Sequence, residues 1–499
     1  MLTVPGVPHC LFLRDGAFDT EAGSSASQLS QLFEAYEASG RKALVVYFHG
    51  GLVDTDSAIA AATALVPAFE ASNAFPIFVI WETGWAEIID QNLPSIFREK
   101  IFQRLVARVT QFVKGKLDKA AATGQSKGAG DLPLDMLWDI ETELQKLEDG
   151  VAPFGDIDLT RLQITDELTD EEESQVRDVI QKDMQLENHV EEIANGRRQD
   201  TATTARSATG LEAVTTLMDD DVAEEIAPSQ ADGSKGLFSM AMLAKHVVVI
   251  TASSIKRLAT RRDHGIYLTI VEETLRELYV RAAGKFLWDH MKTSVDDAFG
   301  TGASSAGRRL IEQLKTTWMN SDRTVTFVGH SAGSIYVCRL LQEIDRAHLP
   351  AGARANVVLL APACTFDLLE HTVTGSGDRI SGLRIFGMSD GLERRDAIAG
   401  FAYPASLLYF VSGVLEEGTD VPLAGMERYY RPPYEGDDFA SIESARRFPL
   451  LNKAHAAIWS PRSDGMGMNC DMKSHGGWMS AAQTVESVQH IIREGYGDD

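Results

Sequence analysis

Short apolar runs punctuate both ends of the chain, and helical spacing fills the middle. Residues 43–49, Ala-Leu-Val-Val-Tyr-Phe-His, run without a polar face until Gly50-Gly51, and residues 75–81 form a second such run. Runs of this length and kind predict strands buried on both faces, as in a parallel sheet. The Ala-rich segment between them, 57–72, predicts a helix, so the three together predict a βαβ unit. The alternation returns late in the chain, where 323–329, 355–362, 382–389 and 454–460 predict strands. Helices are predicted over 332–345, 404–417 and 481–495, the last with Val485, Val488, Ile491 and Ile492 on one side.

Between these regions the spacing is helical. Residues 135–150 and the charged stretch that follows 165 predict helices, as do 266–299 and 303–318, where the periodicity has more core character. Residues 139–200 carry 19 acidic and 6 basic side chains, about half of the acidic excess in a chain of net charge −25. Acidity this local predicts a solvated helical insertion over 96–235, dividing a discontinuous α/β core at 1–95 and 236–499. A docking surface for a basic partner is the alternative use of the same charge. Residues 195–235 have the composition of a linker.

The charge balance argues against nucleic acid or an anionic membrane as partner, because phosphates need clustered Lys and Arg. The longest apolar stretch, 236–255, is interrupted by Lys245 and His246, so a buried element is expected there rather than a transmembrane span. Cys10, Cys338, Cys364 and Cys470 show neither a CxxC spacing nor a Cys/His ligand pattern. No metal site or disulfide framework is expected, which favours a reducing, cytoplasmic location. The first residues lack a basic stretch followed by an apolar one, so no secretory signal is expected.

The candidate chemistry lies at Gly329-His330-Ser331-Ala332-Gly333, between a predicted strand and a predicted helix. Gly-x-Ser-x-Gly alone is weak, but in that position it has a mechanical purpose. A tight strand-to-helix turn projects the serine hydroxyl above the sheet, and glycines keep Cβ atoms out of it. The Ala332 N–H, at the helix N-terminus, is a candidate oxyanion donor. His49-Gly50-Gly51-Leu52 follows an early strand, and the N–H of Gly51 or Leu52 is the candidate second donor. Ser331 as nucleophile needs a base and an orienting carboxylate. Among twelve histidines, His475 is favoured, in a Gly-rich loop just before the terminal helix, with His455 as competitor. His49 and His330 suit loop organisation better. Asp390, directly beyond a strand, is the favoured acid, followed by Asp367 and then Asp396.

Taken together, the His-Gly-Gly loop, the Gly-His-Ser-Ala-Gly turn, Asp390 and the late Ser-His-Gly-Gly resemble the α/β-hydrolase superfamily, especially its lipase and esterase branches. The resemblance covers roughly 40–95 and 300–499 and includes the order Ser…Asp…His. It implies an α/β-hydrolase fold, a doubly wound and mostly parallel sheet, with the acidic helical insertion as a cap. It further implies acyl transfer through Ser331, His475 and Asp390, an oxyanion hole at Gly51, Leu52 and Ala332, and no metal or organic cofactor. The expected substrate is a small-molecule or lipid ester. Acyltransferase, thioesterase or peptidase chemistry on the same residues, and a non-catalytic interaction role for the acidic insert, remain as alternatives.

Overall fold

The structure, a computed structural model, describes residues 8–51, 53–81, 86–122, 164–203, 216–228, 236–302, 304–319, 322–347, 349–350, 352–400, 403–436 and 439–496. The chain opens with β1 (Cys10–Arg14), β2 (Ala17–Phe18) and α1 (Ala26–Ser39). The βαβ unit follows as β3 (Ala43–Phe48), α2 (Thr55–Ala71) and β4 (Ala74–Trp81). A helical region comes next: α3 (Ala86–Arg98), α4 (Lys100–Ala122), α5 (Asp170–Gln181), α6 (Met184–Thr203), α7 (Asp220–Ile226), α8 (Gly236–Ala259), α9 (Ile266–Leu278), α10 (Lys285–Asp297) and α11 (Ala306–Trp318). The alternation resumes with β5 (Thr324–His330), α12 (Gly333–Arg346), β6 (Ala355–Leu360), α13 (Phe366–Ser376), β7 (Ile380–Met388) and the short α14 (Asp390–Glu393). The chain then passes α15 (Leu407–Phe410), α16 (Ala440–Arg447), β8 (Ala457–Ser460), the small hairpin β9 (Arg462–Ser463) and β10 (Asn469–Cys470), and α17 (Ala482–Glu494).

Eight strands form one sheet in the order β2-β1-β4-β3-β5-β6-β7-β8, and only the β1–β2 pairing is antiparallel. The fold is therefore an α/β one with a mostly parallel sheet, as the apolar runs predict. β3 and β4 are buried at every position, which is why they read as continuous apolar runs. From β3 the chain steps one way along the sheet to β4, and from β5 it steps the other way to β6. Right-handed crossovers then put α2 and α12 on opposite faces. The reversal falls between β3 and β5, whose carboxyl ends lie side by side with Phe48 opposite Gly329. Crevices at such switch points are where open α/β sheets bind ligands.

The helical region is built around α8, which packs against α4, α5, α6, α7 and α9. Its residues Leu243, Ala244, Val247 and Ile250 are buried. Among the described residues it is the only helix long and apolar enough to cross a membrane, and most of it lies inside the protein. The border expected at 235 falls within this helical layer, since α8 and α9 belong to it by packing. Part of the acidity is put to local use: Thr169 and Glu172 form a reciprocal cap at the start of α5. The helix read in 135–150 lies outside the described residues.

A buried charge cluster fastens this layer to the segment 403–434. Arg257 on α8 donates to Glu272 (2.7 Å) and Glu273 (2.9 Å) on α9. His264 sits between Glu272 (2.7 Å) and Asp420 (3.0 Å), so both ring nitrogens face carboxylates. The hydroxyls of Tyr403 and Tyr429 donate to Glu272 and Asp420, each at 2.6 Å. Burial works against a charged Glu272, but His264 and Arg257 outweigh it and hold the carboxyl below its ordinary range.

Candidate active site

β5 ends at His330, and the chain reverses at Ser331 with φ +51°. A left-handed backbone costs a non-glycine residue about 1–2 kcal/mol, so the turn needs support. It has it: the Ser331 N–H donates to Leu360 O at 2.9 Å. The Ser331 carbonyl accepts from Ser334 N and Ala363 N, both at 3.0 Å, and from Ser334 Oγ at 2.6 Å. Ala361, on the facing loop after β6, is also left-handed, at φ +42°. Strain of this kind concentrates at functional turns. The glycines are needed sterically. A Cβ on Gly333 would lie 2.2 Å from Phe48 O, and one on Gly329 would lie 2.9 Å from Gly333 O.

His475 comes from the loop between β10 and α17, and its Nε2 lies 2.8 Å from Ser331 Oγ. Both residues are nearly inaccessible, at 3% for Ser331 and 6% for His475. For Nε2 to accept the Ser331 proton, the ring proton must sit on Nδ1. That Nδ1 is buried and makes no hydrogen bond among the described residues. Burial, with His330 adding to it, pushes His475 down to about 3, so the imidazole is neutral in ordinary buffers.

The expected acid does not meet this histidine. Asp390 receives the hydroxyl of Tyr409 (2.6 Å) and the guanidinium of Arg394 (2.9 Å), and it makes no bond to His475. Burial opposes its charge, but Arg394 and Arg428 outweigh that and hold it below the ordinary carboxylate range. Position 390 opens a short helix, and its side chain turns toward Tyr409 in 403–434 instead of toward His475. Asp396, six residues on, does reach the histidine: its Oδ2 accepts the His475 N–H at 2.6 Å. Burial raises the Asp396 carboxyl, partly offset by that bond. Asp367 lies in the first turn of α13, and His455 lies 3.8 Å from Asp464, so neither enters the site.

The glycine loop comes close to Ser331. A Cβ on Gly50 would lie 3.0 Å from Ser331 Cβ and 3.0 Å from His330 Nδ1. Gly51 follows, buried, and the Ala332 N–H makes no backbone hydrogen bond among the described residues. Leu52 lies outside the described residues. His49 secures this loop. Its Nδ1–H donates to Gly50 O (2.7 Å), and its Nε2 accepts from Trp81 N (3.1 Å). Both ring nitrogens are thus satisfied only in the neutral form, and burial holds His49 down to about 4.

That depression has a consequence for stability. Between about 4 and the ordinary histidine value of 6.5 the unfolded chain binds a proton at His49 that the folded protein does not. The contribution of His49 is therefore complete above 6.5 and falls with pH, by about 1.4 kcal/mol per unit. Urea unfolding at pH 7 and pH 5 is expected to show a pH-dependent loss in wild type larger than in His49→Gln by about 2 kcal/mol. Equal losses in the two proteins would refute the assignment. Other buried titrating groups, such as Glu393, which burial raises, cancel in this difference.

No family model, curated protein or solved structure matches this chain. The functional reading therefore rests on the residues and their geometry.

Proposed function

We propose that the protein is a serine hydrolase of the α/β-hydrolase fold that cleaves a carboxylic ester through an acyl-enzyme intermediate. The observation that carries this reading is the 2.8 Å approach of His475 Nε2 to Ser331 Oγ, with Ser331 on a left-handed turn at the switch point of the sheet. In this mechanism Ser331 Oγ attacks the ester carbonyl while His475 takes its proton. The N–H groups of Ala332 and Gly51 hold the oxyanion that develops. His475 then gives its proton to the departing alkoxide, and a water activated by the same imidazole releases the acid. Asp396 is the third member. It fixes the His475 main chain by accepting its N–H, and in this reading its negative charge offsets the imidazolium as that forms. The second oxyanion donor and the insertion as cap complete the reading on the side of binding.

Labelling with a fluorophosphonate probe tests it. Wild type is expected to label at Ser331, with labelling lost in Ser331→Ala and in heat-denatured protein. Equal labelling of wild type and Ser331→Ala would end the proposal. Turnover on p-nitrophenyl esters of graded chain length, with and without an added alcohol, then separates hydrolysis from acyl transfer.

A further inference from the structure

His330 occupies the last position of β5, immediately before the nucleophile, and is buried. Its Nε2 lies 3.1 Å from the main-chain carbonyl of His475. A carbonyl only accepts, so Nε2 carries the proton, and the neutral ring leaves Nδ1 bare. That bare edge lies against Gly50, where a Cβ would come within 3.0 Å of Nδ1. The ring is therefore wedged between the two loops that serve Ser331. On one side is the base-bearing loop, and on the other is the loop with the oxyanion donor.

The His475 main chain is consequently held at both ends. Its N–H goes to Asp396 (2.6 Å), and its C=O accepts from His330 (3.1 Å). The loop around His475 has no regular structure to hold it, lying between a two-residue strand and a short 3-10 turn. The Asp396 bond alone leaves the peptide free to swing about the N–H. The second bond removes that freedom and ties the loop to the residue next to the nucleophile. It does so without a charge, because burial holds His330 down to about 4.

We infer that His330 is a positioning residue of the Ser331 site, setting the Ser331 Oγ to His475 Nε2 distance through its Nε2–H bond to the His475 carbonyl and its contact with Gly50. The inference rests on the serine hydrolase reading above. A residue of this kind acts on the chemical step, since a displacement of about 1 Å at a reacting pair costs about 10²-fold in rate. It touches no substrate, so binding is left nearly as it was.

Two substitutions separate the hydrogen bond from the space the ring fills. His330→Gln keeps a donor at the Nε2 position, and His330→Met fills a similar volume with none. Each is compared with wild type for kcat and KM on p-nitrophenyl butyrate and for the rate constant of fluorophosphonate labelling. His330→Met is expected to lower kcat and the labelling rate about 30-fold or more, with KM within about threefold. His330→Gln is expected to stay within about tenfold of wild type in kcat and to be clearly faster than His330→Met. If His330→Met does not fold, His330→Asn, polar but one bond shorter, replaces it with the same expectation. Wild-type rates in the donor-free variant, or equal losses in Gln and Met, overturn the inference. Failure of wild type to label at Ser331 overturns the underlying reading instead, so the two failures are distinguishable.

Discussion

Asp396→Asn is expected to lower kcat/KM by about 10³–10⁴-fold, and Asp390→Asn to leave it within about threefold. The contrast follows from where the two carboxylates point. Asparagine at 396 keeps an oxygen for the His475 N–H, so the loop stays in place. On the proposed mechanism, what it removes is the negative charge bonded to the main chain of the residue whose imidazole becomes imidazolium as Ser331 attacks. Burial already disfavours that cation strongly, as the depression of His475 to about 3 records. Without a carboxylate the full cost falls on the transition state. Asp390 has other partners, Tyr409, Arg394 and the neighbouring Arg428. Its loss is expected to appear as reduced stability, about 1–3 kcal/mol for a buried hydrogen-bonding group. Steady-state kinetics on one ester, with urea unfolding of both variants, decides the matter. A larger kinetic loss in Asp390→Asn than in Asp396→Asn would sink the assignment.

This choice of acid marks the boundary of what the residues alone disclose. The central strands were legible because β3, β4 and β5 are buried on both faces and leave unbroken apolar runs. The elbow was legible because glycines at 329 and 333 are demanded by backbone approach that no other residue tolerates. Position 390 lies just beyond the carboxyl end of β7, as the strand over 382–389 predicts, but a strand end fixes where a chain emerges and not where a side chain turns. Only tertiary structure brings residue 396 to residue 475. β1 was missed because five residues ending in Arg14 give too short a period to read. The segment 404–417 reads as one helix, yet it forms a single α turn and then a wider π turn at Val411–Leu415. The reason lies across the interface. Gly413 is pressed against Glu272, where a Cβ would come within 2.3 Å of the carboxyl carbon. No local pattern encodes a carboxylate contributed from 141 residues upstream.

Glu272→Ala is expected to destabilise the protein by about 3–5 kcal/mol, the usual cost of removing one member of a fully buried ion pair. Glu272 is completely buried and receives three donors: Arg257 at 2.7 Å, His264 at 2.7 Å and the Tyr403 hydroxyl at 2.6 Å. Its removal leaves the Tyr403 hydroxyl without that acceptor and takes a carboxylate away from both Arg257 and His264. Glu273 and Asp420 remain to Arg257 and His264, so these keep one partner each. Glu273→Ala removes only the Arg257 bond, from a carboxyl that burial raises despite that arginine, and is expected to cost less. The loss also has a direction. The cluster joins α8 and α9 to the segment 403–434, and that segment bonds Asp390 through Tyr409 and Glu427. Asp390 opens the stretch that ends at Asp396, so loosening the cluster relaxes the support beneath His475. Glu272→Ala is therefore expected to raise amide exchange at 403–434 and 390–396 before it does so in β3 or β5. Urea unfolding combined with hydrogen exchange checks both parts. A cost below about 1 kcal/mol, or exchange that rises uniformly over the sheet, would show that the cluster does not fasten the helical layer to the site.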